Sequence, residues 1–368
     1  MNKLIYNVFS NRFPGDCYTA KVKANVFIQG EIPYDIQVVA ENLYIPWAID
    51  ISEEGKLYFT ERSGEIRIVE DGKLYAQPLI TFRAPFVSYG EGGLMGIALD
   101  PNFLQTHSIY VMYSYAEGNK LYNRVVRLLE NNNVASIDRT LLDRIPGGQI
   151  HNGGRIKIGP DQKLYITTGD AGNSILAQNL TSTAGKILRI ELDGRIPEDN
   201  PLRNSPVYSF GHRNPQGLAW NSNNVLYSSE HGQTAHDEIN IIKPGANYGW
   251  PLVQGNEESR EVKIEKPLIN SESTTWAPSG ITFVSKGPWQ GKLLAATLRG
   301  EQLLVFTLNN DGTRVEKVEA LLLNEYGRLR EVIEAEDGSI YITTSNRDGR
   351  GNLHAGDDKI IHLIPKKA

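Results

Sequence analysis

Apolar and polar residues alternate along this chain in short runs of period two, as in Glu65-Ile66-Arg67-Ile68 and in Lys186-Ile187-Leu188-Arg189-Ile190 within GKILRIEL. Such alternation places every second side chain on one face of an extended strand. The runs recur in related form: EEGKLYFTERSGEIRIVEDGK (53–73), GPDQKLYITTGDAGN (159–173), NNVLYSSEHG (223–232), GKLLAATLRGEQLLVF (291–306) and EDGSIYITTSNRDGRG (336–351). Each has a Gly or Asn turn, a β-branched or aromatic strand, and then a polar loop. Asp-Gly pairs at 71–72, 193–194, 311–312 and 337–338 suit tight hairpins. A further short strand precedes each repeat: Trp47–Asp50, Met95–Ala98, Arg155–Ile158, Gly217–Trp220, Gly280–Phe283 and Arg330–Ile333. SIYVMYSY (108–115) and NRVVRLL (123–129) supply the repeat that follows Met95–Ala98.

Six β units recurring every ~50–60 residues predict an all-β chain: a six-bladed β-propeller with four-stranded antiparallel blades around a central channel. The ring closes if Ile36–Val39 completes the last blade beside Lys359–Leu363. No linker divides the chain, so residues 36–368 form one propeller domain, with residues 1–35 an N-terminal extension packed on it.

In such a blade the loop entering the first strand and the loop joining the second and third lie on the same face. Polar residues in those loops therefore converge at one mouth of the channel. The entry loops bring Glu91 (GEGGLMG), His151 (IHNGG), Arg213 and Asn214 (GHRNPQG), and Arg328 and Arg330 (GRLRE). The other loops bring Asp170 (TGDAGN), Glu230-His231-Gly232-Gln233, Arg299 (TLRGE) and Asn346-Arg347. Several guanidinium groups suit an anionic ligand. A His beside an acid suits a base working near neutral pH. Loops rich in carboxylates and carbonyls suit a hard cation such as calcium.

Composition narrows the classes. The 368 residues carry a formal net charge of −5, with the basic residues scattered, which excludes a nucleic-acid-binding face. Cys17 is the single cysteine, so neither an intrachain disulfide nor a multi-Cys metal site is possible. No run of ~18 apolar residues is present, so no membrane span is expected. The first residues, MNKLIYNVFSNRF, lack the unbroken apolar core of a secretion signal.

The strings GEGGLMGIALDPNF, HNGGRIKIGPDQKLYITTGD, GHRNPQGLAW, SEHGQTAHDEINIIKPGANYGWP, WAPSG and GRLREV run in order from about residue 45 to the C-terminus. Through them the chain resembles the soluble aldose (glucose) dehydrogenases that depend on pyrroloquinoline quinone (PQQ). The resemblance implies oxidation of an aldose at C1 to the lactone, with PQQ and Ca²⁺ as cofactors and an external electron acceptor it does not name. It also implies a monomer or homodimer working outside the cytoplasm. By position, His151 matches the general base and Asp170 the acid that orients it. Arg213 and Asn214 match residues that contact the quinone. Arg299, Arg328 and Arg330 match cations that pair with its three carboxylates, and the carbonyls of Gly232 and Gln233 match the calcium ligands. Glu91 stands beside base and cofactor where glucose-oxidising members carry Gln. Ile175 stands near the place of a sugar-side Gln, and Trp276 lies near that of the substrate aromatic.

Two other classes share the scaffold. A calcium-dependent propeller hydrolase of the lactonase kind would bind its metal through side-chain carboxylates and need no Arg cluster. A non-catalytic binding propeller would keep the blades without the His or the Arg set. His212 and the His231 ring are equally compatible with structural roles, and Trp250 in NYGWP with packing between blades.

Overall fold

The computed structural model describes residues 28–366, and almost all regular structure in it is β-strand. Twenty-four strands form six antiparallel four-stranded blades, with short additions at the edges of the first and fifth. The innermost strands are Pro46–Ile51, Leu94–Leu99, Ile156–Ile158, Pro215–Trp220, Pro278–Phe283 and Leu329–Glu334. Each matches one of the six short strands expected from the repeats. Each packs against the innermost strand of the next blade, and the last packs against the first, which closes the ring.

Closure uses the chain's beginning and end together. Tyr34–Ala40 is the outermost strand of the sixth blade and runs antiparallel to Ile360–Pro365, with Val38 opposite Ile361. Ile28–Gln29 adds a parallel edge strand to the fifth blade, against Val315–Leu321. Of the extension expected over residues 1–35, residues 1–27 lie outside the described residues, while Ile28–Gln29 and Tyr34-Asp35 are already strand residues of the fifth and sixth blades.

The alternation seen in sequence becomes burial on both faces, because each blade is packed between two others. Leu57–Glu61, Leu164–Thr168 and Leu226–Glu230 are buried along their whole length. The apolar side chains fill the spaces between blades: Ile97, Val111, Ile156 and Ile166 share one such core, and Leu294, Val305, Val332 and Ile342 another. Burying a side chain of this size contributes roughly 1.5–3 kcal/mol.

The channel floor is polar. The guanidinium of Arg155, 1% exposed, ion-pairs with Glu331 on the sixth blade, and its Nε donates to the Gln216 carbonyl at 2.9 Å. Arg155 also lies over the Trp47 ring, 4.4 Å from its centroid, and Arg330 lies 5.4 Å from the same ring. This cross-channel set ties blades 1, 3, 4 and 6 together beneath the mouth.

Candidate active site

Loops of all six blades border one cavity of about 860 Å³ at the mouth of the channel. His151, Glu91, Arg213, Asn214, Gly232, Gln233, Arg299, Arg328 and Arg330 all line it, and Asp170 sits directly behind His151. The topological convergence argued from strand order is therefore present in the fold.

His151 sits in a backbone conformation with φ of 57°, which few residues with a side chain adopt. Two contacts hold it there. Its N–H donates to Glu91 Oε2 at 2.8 Å, and its carbonyl accepts from Ala171 at 3.0 Å. The backbone of Gly169 presses so close to that carbonyl that any Cβ at position 169 would collide with it. The ring nitrogen Nδ1 lies 2.7 Å from Asp170 Oδ1.

Asp170 is 1% exposed. Burial pushes its carboxyl up, but hydrogen bonds from His151, the Gly172 N–H and the Trp250 indole outweigh this and hold it below the usual carboxylate range. An ionised Asp170 can only accept, so the His151 Nδ1 facing it carries a proton. Nε2 has no protein partner among the described residues. The segment after Asp170 is pinned by Lys186, whose buried ammonium donates to the carbonyls of Leu176, Ala177 and Ala184 at 2.7–2.9 Å.

The cavity wall is cationic. Six guanidinium groups line it (Arg62, Arg213, Arg299, Arg328, Arg330 and Arg350) against three carboxylates, Glu91, Asp237 and Asp348. Arg328 is committed to Asp348, with Nε and Nη2 at 2.9 and 2.8 Å from Oδ2. Arg330 reaches the same oxygen only at 3.7 Å, and burial pushes it down to about 9, with Arg62, Arg328 and Arg155 adding repulsion. Burial likewise lowers Arg213 and Arg62, and the Nε of each is buried without a protein partner. Arg299 is exposed at the mouth. Glu91 bridges His151 to Arg350, at 2.8 Å from Nη1. Burial opposes its charge, but the His151 N–H and Arg350 hold it below its ordinary range.

Asp237 lines the cavity with both carboxylate oxygens already accepting from neighbouring loops. Oδ1 accepts from the Gly232 N–H, and Oδ2 accepts from Thr275 Oγ1, Trp276 N and Ala277 N. It thereby shapes the loop whose Gly232 and Gln233 face the cavity. Asn214 is similarly anchored, its Oδ1 accepting from the Gly153 N–H at 3.0 Å and from Gln216 Nε2. Among the described residues no three His, Cys, Asp or Glu side chains converge as a metal site.

Several rim candidates serve the scaffold instead. Glu230 points into its blade, where it holds the buried His212 ring and the Arg213 N–H. Asn346 and Arg347 are turned onto Tyr326, Asp357 and the backbone of their own loop. Trp276 is buried in the core of the fourth and fifth blades, and Ile175 is exposed.

Arg62, Asp348 and Arg350 line the cavity without having been singled out. Arg62 occupies the loop after the second strand of the first blade, the position that strand counting marks as mouth-facing. Asp348 and Arg350 follow the two residues picked from SNRDG. The His231 ring lines the wall with Nε2 buried and unpartnered, and burial pushes it down to about 4, so it is neutral. Trp250 is no simple packing residue, since its indole N–H donates to Asp170 Oδ2 at 2.8 Å.

A six-bladed propeller whose mouth holds a His–carboxylate pair among guanidinium groups defines a class of channel-mouth enzyme. Residues 43–355 match the glucose/sorbosone dehydrogenase family, and the chain belongs to it. It is 31% identical over 342 residues to aldose sugar dehydrogenase YliI of Escherichia coli, covering 86% of this chain and 91% of that protein. Its fold superposes on the PQQ-bound aldose sugar dehydrogenase of Streptomyces coelicolor with a TM-score of 0.82 and 38% identity, covering 90% of this chain and 98% of that one. A Thermus thermophilus protein assigned as an oxidoreductase (glucose dehydrogenase) without that activity being established gives a TM-score of 0.83 and 41% identity, covering 90% of this chain and all of that one. The chain is thus an oxidoreductase of the sugar dehydrogenase type. No helix among the described residues is long and apolar enough to cross a membrane.

Proposed function

We propose that this protein oxidises aldose sugars at C1 to the lactone, with PQQ and calcium bound in the mouth cavity. The observation that carries the reading is the His151–Asp170 pair set beside a wall of six guanidinium groups facing three carboxylates. That surplus suits a ligand with three carboxylates, and the unpartnered Nε atoms of Arg62 and Arg213 and Nε2 of His231 are donors or acceptors for it. Arg330 and Arg299 supply cations not already committed to a carboxylate at close range, and Asn214 keeps its Nδ2 for the cavity. The carbonyls of Gly232 and Gln233 would hold the calcium ion, in a loop that Asp237 keeps in shape. When bound, PQQ supplies the hydride acceptor and calcium a Lewis acid.

The chain's own residues handle the proton. His151 Nε2 accepts it from the C1 hydroxyl, and the ionised Asp170 stabilises the imidazolium that results through Nδ1. Glu91 and the left-handed turn fix the ring's place in the wall. The hydrolase alternative would need free side-chain carboxylates. Here Asp237 is held by four donors and Asp348 by Arg328, while Glu91 is shared between His151 and Arg350. By its resemblance, we place the enzyme outside the cytoplasm as a monomer or homodimer.

The test is reconstitution of the purified chain with PQQ and Ca²⁺, followed by dye reduction with a panel of aldoses. Activity that requires both additions and is lost to a chelator supports the reading. A chain that binds PQQ with no sugar turnover would retire the aldose assignment, and one that neither binds nor turns over would retire the cofactor as well.

Glu91 gives a separate expectation. Glu91→Gln keeps an acceptor for the His151 N–H and removes a negative charge from the wall of an anion site. Its PQQ affinity, read by fluorescence titration, should rise by roughly threefold to tenfold. Unchanged or weakened binding would show that the Glu91 carboxylate does not face the ligand's charge.

A further inference from the structure

The His151–Asp170 pair has a third member that belongs to neither the base nor the cavity wall. We propose that Trp250 is a positioning residue of the site: its indole N–H orients the Asp170 carboxylate toward His151, and its ring face seats Arg213. The inference rests on His151 acting as the base.

Three observations carry it. First, the two oxygens of Asp170 are divided between partners: Oδ1 takes His151 Nδ1 at 2.7 Å and the Gly172 N–H at 2.8 Å, and Oδ2 takes Trp250 Nε1 at 2.8 Å. A carboxylate with one free oxygen in a buried site could rotate. The indole removes that freedom and fixes which oxygen faces the imidazole. Second, Trp250 is itself anchored through its backbone, its N–H donating to the Gly211 carbonyl at 2.9 Å and its carbonyl accepting from Gln178 Nε2 at 2.7 Å. Third, the Arg213 guanidinium lies 5.4 Å from the Trp250 ring centroid, and Arg213 Nε is buried without a protein partner. One side chain thus sets the distance between the proton acceptor and a cation of the ligand wall. Trp250 does not line the cavity, so its action on any ligand passes through Asp170 and Arg213.

Trp250→Phe deletes the N–H and keeps a ring beneath Arg213. With one donor withdrawn, more of the Asp170 charge is available to His151 Nδ1–H, which favours the imidazolium. The His151 titration midpoint, followed by NMR in the cofactor-free chain, should therefore move up. In the reconstituted enzyme kcat should fall about tenfold, the scale of one hydrogen bond to a charged group, with its acid limb shifted the same way and sugar KM unchanged. PQQ affinity should stay within about twofold, whereas Trp250→Leu, which also removes the ring, should weaken it by roughly three- to tenfold. A folded Trp250→Phe protein whose His151 midpoint matches the wild type overturns the proposal. Should that variant not fold, Asp170→Asn gives the measurement from the other side. The Trp250 Nε1–H resonance should then move upfield as its charged acceptor is lost, and an unmoved resonance overturns the proposal. Turnover of His151→Ala tests the underlying assignment separately: if it persists, the base reading fails whatever Trp250 does to the titration.

Discussion

Replacing His151 with Ala should cut sugar turnover by roughly two to four orders of magnitude while leaving PQQ affinity nearly intact. The magnitude is that of a general base positioned on the reacting proton. The separation of the two effects follows from the structure. The contacts that fix residue 151 run through its backbone, to Glu91 and Ala171, and remain in the variant. The cationic wall is built from other loops. What is lost is the imidazole and, with it, one of the donors that hold Asp170 ionised. The check is steady-state kinetics at saturating cofactor alongside a PQQ titration of the same preparation. Unchanged turnover would remove His151 from the mechanism, and a parallel collapse of cofactor binding would make it a ligand-holding residue instead.

The propeller was legible in sequence because its determinants are local and repeated. Period-two runs, Asp-Gly turns and the regular return of a short strand such as Trp47–Asp50 or Gly280–Phe283 state the blade without reference to distant residues. Ring closure was legible too, since a propeller must close and Ile36–Val39 offered a strand for the last blade beside Lys359–Leu363. The mouth was legible at the level of loops, because strand counting alone assigns each loop to a face. Which side chain in a loop turns inward was not. In SNRDGRG the counting points equally at Asn346, Arg347, Asp348 and Arg350. The answer depends on a short 3₁₀ turn over Asn346–Asp348 and on hydrogen bonds to Asp357 and Asp358 far along the loop. Trp250 illustrates the same limit. NYGWP looks like packing in one dimension, and its use emerges only when the third-blade loop brings Asp170 to the indole.

The second large effect separates two arginines that sequence treats as a pair. Arg328 and Arg330 are both buried, yet Arg328 holds Asp348 through two nitrogens while Arg330 has Ser345 Oγ at 3.0 Å and that carboxylate only at 3.7 Å. A buried cation without a close anion raises the free energy of the folded chain. Its folded-state pKa lies below its ordinary value, so the penalty holds throughout the range below about 9 and is relieved only as pH rises through that point. An anionic ligand at the Arg330 guanidinium removes the penalty and gains a charge-assisted hydrogen bond. Arg330→Met, which keeps the bulk against Trp47, should therefore weaken PQQ binding by about a hundredfold. The cofactor-free protein should melt at an unchanged or higher temperature. Arg328→Met should do the opposite to stability and lower the melting temperature, because it leaves the buried Asp348 carboxylate without its close cation, with Arg330 only at 3.7 Å. Calorimetric melting of both cofactor-free variants, together with PQQ titration, distinguishes the two roles. If Arg330→Met melts several degrees lower and still binds PQQ as well as the wild type, Arg330 is a structural residue and the carboxylate clamp must be sought at Arg62, Arg213 and Arg299.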